Sequence, residues 1–259
     1  MDEPLVGDVF GDMVRDAYAV RTGIGPRPLV GGRTPRPVIE IIERDDGLIN
    51  GAPADHYLGE PAEWPAHDHR ALRLVRGQVL DIGVGAGRTA LEIQRRGQAV
   101  TGLDLSAGAI EIARQRGLRD TVVATVDEFA GRAATRYDTF LLLGNNLGLL
   151  ESRERAPIFL AALARLANPG ARIVAQSTDP YNTKDPVHVS YHRRNRERGR
   201  LGGQLRLRLR YRLLATDWFD YLNCSIDELE SLVADSDWRL KEVDDLDFPY
   251  YVAVLELAR

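Results

Sequence analysis

Cysteine is nearly missing from this sequence. The lone Cys224 excludes an intramolecular disulfide and any metal site built on several thiolates, and the expected compartment is a reducing cytoplasm. Long apolar runs are missing too. Phe140-Leu141-Leu142-Leu143 is strand-sized, far short of the roughly 20 residues that a membrane-crossing helix needs. The first turn of chain carries Asp2, Glu3, Asp8 and Asp12 where a signal peptide needs a basic start and an apolar stretch, so no secretory leader is expected. Nor is there an excess of positive charge. The formal net charge of -4 offers nucleic acid and anionic membranes no global attraction, although one local basic stretch stands out. Low-complexity tracts and solenoid repeats are also lacking. With 259 residues, 44% of them hydrophobic and 28% charged, the chain can bury the core of one elaborated domain.

What is present is a regular alternation. Val9, Phe10, Met13, Val14, Ala17 and Tyr18 recur at helical spacing, and the Gly/Pro-rich run 23–37 then breaks regular structure. Residues 38–43 read as a short strand and 51–65 as a loop. From Gly77 onward, strands are expected at 78–82, 99–104, 121–126, 138–143 and 171–177, with helices at 88–96, 107–115 and about 153–166 between them. Strands alternating with helices imply parallel βαβ units in a doubly wound α/β sheet. After Ser177 the pattern changes to an irregular arginine-rich segment, a helix at 226–234 and a last strand at 250–257. No crossover helix leads into that strand, so it should enter antiparallel.

The run Val79-Leu80-Asp81-Ile82-Gly83-Val84-Gly85-Ala86-Gly87-Arg88 closes a buried strand and opens a helix through three glycines. Missing Cβ atoms let a ligand lie against the backbone, and the free N–H groups of the helix start face it. Asp104 ends the next strand, where its carboxylate can accept both hydroxyls of a ribose. Gly-x-Gly by itself also suits a ligand-free turn; strand, turn, helix and acid together favour a nucleotide-like ligand. The dinucleotide fingerprint fails, because Arg88 replaces its third glycine and Asp81 would repel a pyrophosphate. An acid there suits an amine or a sulfonium.

From Asp81 to Gly87 the chain resembles the first motif of class I S-adenosylmethionine-dependent methyltransferases, an acid followed by x-Gly-x-Gly-x-Gly. The resemblance extends over about residues 77–177. It includes Tyr137-Asp138-Thr139-Phe140-Leu141-Leu142-Leu143, like the family's fourth strand, and Leu166-Ala167-Asn168-Pro169-Gly170-Ala171, like the turn into its fifth. It implies a Rossmann-like fold, S-adenosyl-L-methionine as cofactor with S-adenosyl-L-homocysteine as product, and in-line methyl transfer to O or N of a small metabolite, anionic ones included. Gly83, Gly85 and Gly87 would then cradle the methionine part with Asp81 near its amine, and Asp104 would hold the ribose beside Leu105. Thr125 stands where the family often has an adenine-binding Asp, which shifts that role to Val126 and Asp127. Gly144 and Asn145 would lie beneath the sulfonium, Tyr57 against the cofactor, and Asn146 would offer an amide to the acceptor.

The expected substrate walls are the N-terminal segment 1–75 and an insertion at about 178–225, around a methyltransferase domain at 76–259. Both segments are rich in His, Tyr, Trp and Arg. Candidates for catalysis are His69, Asn145, His188, Tyr191 and His192; those for substrate contact are Trp64, Asn146, Tyr191, Arg194, Arg208, Tyr211 and Trp218. His188 and His192 can share a helix face, His67 and His69 a strand face, and no spacing suggests a metal site. Residues 205–213 alternate Leu-Arg-Leu-Arg, a strand with an apolar face and a guanidinium face. Most of these arginines should be solvated and paired with Asp235, Asp237, Asp244, Asp245 and Asp247. One or two, such as Arg194 or Arg208, could enter the pocket and hold a carboxylate or phosphate. Two other readings stay open: an RNA methyltransferase using the arginine strand, and a catalytically silent S-adenosylmethionine-binding module.

Overall fold

The computed structural model describes residues 4–24 and 37–258, so most of the Gly/Pro-rich run 23–37 lies outside the described residues. The chain begins with β1 (Leu5–Val6), α1 (Val9–Arg21), β2 (Ile39–Arg44), β3 (Ile49–Pro53) and α2 (Ala66–Arg73). The regular core follows as β4 (Val79–Ile82), α3 (Arg88–Arg95), β5 (Val100–Asp104), α4 (Ala107–Gln115), β6 (Asp120–Val123), α5 (Val126–Arg132), β7 (Tyr137–Leu142), α6 (Ala156–Arg165) and β8 (Ala167–Thr178). It ends with α7 (Pro186–Glu197), β9 (Gln204–Tyr211), β10 (Leu214–Ala215), β11 (Phe219–Leu222), α8 (Ile226–Val233), β12 (Trp238–Asp247) and β13 (Tyr250–Leu257).

The larger sheet runs β12-β13-β8-β7-β4-β5-β6. Strands β4 to β8 are parallel, and β13 enters antiparallel between β8 and β12, as its approach without a crossover helix requires. Winding reverses at β4, whose neighbours β5 and β7 lie on either side; this is the Rossmann-like switch point where such sheets bind ligands. Both faces of the sheet are covered, so its strands are apolar throughout. Leu80, Phe140, Leu142, Ile173 and Leu255 face α5, α6 and α8, while Val79, Leu141, Val174 and Val252 pack toward α2, α3 and α4.

The strand expected at 121–126 ends early. Thr125 caps α5 instead: its hydroxyl accepts from the Glu128 amide at 3.0 Å, and the Glu128 carboxylate accepts from the Thr125 amide at 2.9 Å. This capping box satisfies two donors that a longer strand would leave exposed. His67 and His69 lie on α2, so they do not share a strand face.

Segments 1–75 and 178–225 are not two separate walls. They converge on one smaller sheet of order β1-β10-β9-β2-β3, with β11 also paired to β9. The reading of 51–65 as loop is corrected in part by β3, and the irregular stretch after Ser177 contains α7 and three strands. The central pairing is β2 with β9, in register Ile42↔Leu209 and Arg44↔Leu207. Val9, Met13, Val14 and Ala17 of α1 pack with Val38, Ala54, Leu58 and Ile112 beneath this sheet. Asp8 ties α1 to the core: it caps its own helix through the Gly11 amide (2.9 Å), and accepts from the Ser106 hydroxyl (2.7 Å) and the Gly108 amide (2.8 Å) at the start of α4. No helix among the described residues is long and apolar enough to cross a membrane.

Candidate functional site

At the carboxyl end of β4 the chain turns through Gly83, Gly85 and Gly87 with φ of 69°, 54° and 81°, a region that disfavours any side chain. Gly83 is also crowded, since a Cβ there would sit 2.4 Å from the Asn146 amide nitrogen. Gly83→Ala is therefore expected to cost about 2 kcal/mol, read as a lower midpoint of thermal unfolding. Gly131→Ala, in open space on α5, should be neutral or stabilising. Gly87 differs from its two neighbours. A Cβ on it would face Ala113, Leu118 and Leu91, so it serves packing of α3 and lines none of the cavities described below.

Two carboxylates flank the turn. Asp104 accepts from the Gly85 amide through one oxygen and from the Ser106 amide through the other, both at 2.8 Å, and burial raises its pKa. Its remaining lone pairs are free for ligand hydroxyls. Asp81 is fully buried, accepts from the Thr89 hydroxyl at 2.7 Å, and is pushed up to about 6 by burial. The nearby Arg88 guanidinium favours its charge but is paired directly with Asp68, so among the described residues Asp81 has no direct ion pair of its own to compete with a positive ligand group.

These groups open onto two adjoining recesses. A cavity of about 400 Å³ between the two sheets is lined by Tyr57, Asp81, Gly83, Gly85, Asp104, Gly144, Asn145 and Asn146. A smaller recess of about 220 Å³ shares Gly83 and Asp104 with it and adds Leu105, Val126 and Asp127. The structure thus brings together every residue assigned to the cofactor from sequence except Gly87. Asn146 faces the larger cavity, but its amide is engaged with the Ile82 and Gly83 carbonyls at 3.1 Å, bracing the turn.

Asn145 stands where three cavities meet. It holds φ 69°, donates to the Asn223 side chain (2.8 Å), and accepts from the Thr178 hydroxyl (3.2 Å) and, on its carbonyl, from Tyr221 (2.7 Å). With its side-chain groups engaged in this way, it positions the exit of β7. Trp64 lines a neighbouring cavity of about 450 Å³, with its ring 5.0 Å from the Arg88 guanidinium. Beside it runs a chain that the sequence did not announce: Arg88 and Gln176 both donate to buried Asp68 at 2.6 Å, and Gln176 accepts from the Gly144 amide at 2.6 Å. Its members, Asp68, Arg88, Gly144 and Gln176, come from four separate segments, which leaves no local signal.

The remaining candidates are placed differently. His188 and His192 do share a face of α7 and line a third cavity of about 410 Å³. His192 is lowered to about 4, mainly by burial, and stays neutral; His188 Nδ1 lies 3.0 Å from the Arg44 guanidinium. His69 and Tyr191 line none of these cavities. His69 packs near the Trp64 ring, and the buried Tyr191 hydroxyl donates to Asp45 at 2.8 Å, with its pKa pushed up to about 12 mainly by burial.

Arg194, Arg208, Tyr211 and Trp218, expected to touch substrate, line none of these cavities, and for Arg208 the reason is the register of β9. Leu205, Leu207 and Leu209 face the cavities, which turns Arg206, Arg208 and Arg210 to the opposite side. There Arg208 and Arg210 pair with Glu43, Arg206 with Asp220, and Arg208 lies over Trp218 at 4.7 Å. Arg194 pairs with Asp46, and Tyr211 donates to buried Asp16. The acids expected to pair with these arginines are elsewhere: Asp244 and Asp247 hold Arg70. Among the described residues, no group of three or more His, Cys, Asp or Glu is arranged to hold a metal ion.

Glu40 was not among the residues singled out from sequence. It lines the 400 Å³ cavity from β2, and both of its carboxylate oxygens accept from the Tyr57 hydroxyl at 3.0 Å. The available signal was an acid interrupting the apolar run Ile39-Glu40-Ile41-Ile42.

Residues 79–170 match a family of methyltransferase domains. Over 125 residues the chain is 33% identical to the ubiquinone biosynthesis O-methyltransferase of Alkalilimnicola ehrlichii, covering 42% of this chain and 49% of that relative. An enzyme of the same name from Klebsiella pneumoniae subsp. pneumoniae is 34% identical over 101 residues, covering 37% and 40%. The chain therefore spans half or less of the length of the curated relatives it matches. Among solved structures, a SAM-dependent methyltransferase from Bacteroides fragilis in complex with S-adenosyl-L-homocysteine superposes with a TM-score of 0.78. That similarity covers 97% of this chain and 95% of the other at 24% identity, a likeness of fold that includes the smaller sheet. DesVI of Streptomyces venezuelae gives 0.57 at 18% identity, over 79% and 95% of the two chains.

Proposed function

We propose, from the premise that residues 79–170 form a class I methyltransferase domain, that this chain binds S-adenosylmethionine between its two sheets and methylates an oxygen of a small molecule. The observation that carries the reading is the pair of buried carboxylates around the glycine turn: Asp104 bordering both recesses, and Asp81 with no direct ion pair among the described residues. The residues present fit the cofactor. Asp104 would hold the ribose, Leu105, Val126 and Asp127 the adenine, and the Gly83–Gly85 backbone the methionine part with Asp81 toward its amine. When bound, the group supplies an electrophilic methyl, and the chain contributes orientation and exclusion of water. O-methylation is favoured by the names of the relatives, and a small acceptor by cavities of only about 400 to 450 Å³. In this reading 1–75 and 178–225 act together as a cap on the domain at 76–259.

The arginine stripe is a weak handle for RNA, since Arg206, Arg208 and Arg210 are already engaged by Glu43 and Asp220, which offset part of its charge. Calorimetric titration with S-adenosylmethionine and S-adenosylhomocysteine, with NAD as competitor, tests the reading. Adenosyl-ligand binding that NAD leaves intact supports it, and absence of binding overturns it. Binding without turnover on any acceptor would instead indicate a silent module. Affinity should also depend on pH. Asp81 must be ionised to attract the cofactor's ammonium, so binding is expected to weaken as pH falls through about 6 and to level off above it. Asp81→Asn should flatten that profile.

A further inference from the structure

Strand periodicity decides what the smaller sheet shows the cleft. Glu40 and Ile42 of β2, Leu207 and Leu209 of β9, and Phe219 and Tyr221 of β11 form one wall, continued by Phe10 and Tyr57. That wall is hydrocarbon and aromatic, with one acid. Glu40 is only 4% exposed, yet it borders the cavity. Among the described residues its hydrogen-bond donor is the Tyr57 hydroxyl, and no guanidinium or ammonium pairs with it. The groups facing it are Tyr57 and Tyr221, with His56 near enough to favour its charge and Asp104 across the cleft beside Tyr57.

A carboxylate without a counter-ion in an apolar wall is costly to keep and has strong affinity for a proton. A substrate carboxylate or phosphate placed there would meet like charge and no cation. A neutral hydroxyl on an aromatic ring matches both parts of the wall, donating to Glu40 while its ring lies against Leu207, Leu209 and Phe219.

We infer that Glu40 is the proton acceptor in methyl transfer and that the methyl acceptor is a neutral aromatic hydroxyl compound. This inference rests on the methyltransferase reading above. As the acceptor oxygen bonds to the methyl carbon, the carbon–sulfur bond breaks with its electron pair going to sulfur. The hydroxyl proton passes to a Glu40 oxygen and leaves to solvent with product release.

The test reads equilibrium binding, not turnover. 4-Nitrophenol, whose visible absorbance reports its ionisation, is titrated across pH into protein saturated with S-adenosylhomocysteine. In the wild type the neutral phenol should bind and its affinity should fall as it ionises, because phenolate and Glu40 repel. Glu40→Gln should weaken binding of the neutral phenol by about tenfold or more and remove the decline. Glu40→Asp keeps a carboxylate and guards against a Gln variant that fails to fold; it should retain the decline. Identical pH profiles in wild type and Glu40→Gln, loss of the decline in Glu40→Asp, or tighter binding of 4-nitrobenzoate than of the neutral phenol would each overturn the inference. Failure of the wild type to bind S-adenosylhomocysteine at the outset would instead remove the methyltransferase reading on which it rests.

Discussion

Asp104→Ala is expected to weaken S-adenosylmethionine binding at least a hundredfold. Two ribose hydroxyls donating to one carboxylate are charge-assisted bonds of about 1.5–3 kcal/mol each, so their joint loss is about 3–6 kcal/mol, or two to four decades in Kd. A second effect adds to it. The same carboxylate accepts from the Gly85 and Ser106 amides at 2.8 Å, so the substitution also frees the turn that lies against the ligand. Isothermal calorimetry reads the loss, and thermal unfolding separates it from damage to the fold. Because burial raises the Asp104 pKa, its ionised form is penalised in the unliganded protein. The alanine variant sheds that penalty but leaves the Gly85 and Ser106 amides without their acceptor, so only a modest drop in unfolding temperature is expected. Affinity within threefold of wild type would remove Asp104 from the site.

Asp8→Ala is expected to cost about 3 kcal/mol of stability. One part is the loss of an N-cap, typically about 1 kcal/mol. The larger part is that Ser106 and Gly108 lose an acceptor where α1 meets α4, and partly buried donors left unmade cost about 1–3 kcal/mol. There is little room for repair, because a Cβ on Gly108 would come within 2.8 Å of the Gly11 Cα. For a chain of this size the midpoint of unfolding should drop by about 6–12 °C. Affinity for S-adenosylhomocysteine should fall as well, since Phe10, two residues into α1, lines the same cavity as Gly85. A drop of less than about 3 °C would show that the helix is held by its apolar face.

Features encoded within a few residues were legible before folding. Positive φ belongs to the three glycines themselves, so the ligand turn and its strand–helix setting could be read directly, and so could Asp104 at a strand end. The apolar strands of a doubly wound sheet declare themselves by composition, because both of their faces are buried. β12 escaped notice for the converse reason: it is an edge strand carrying Glu242, Asp244 and Asp245, and its chain looks solvated until β13 pairs with it. The capping box at Thr125 lay in plain view as Thr-x-x-Glu, yet an apolar run from Val122 to Val126 competed with it.

The sequence by itself determined the doubly wound core, the glycine turn with its two acids, and the fact that β9 has one apolar and one cationic face, because each depends on neighbours a few residues away. Tertiary structure decided which face of β9 meets the cleft and which acids neutralise the other. It also brought Glu40 in among the leucines and made segments 1–75 and 178–225 one sheet. Arg208 meets Glu43 across 165 positions of chain. A strand's alternation states that two faces differ, but only pairing with a distant partner assigns one of them to the ligand.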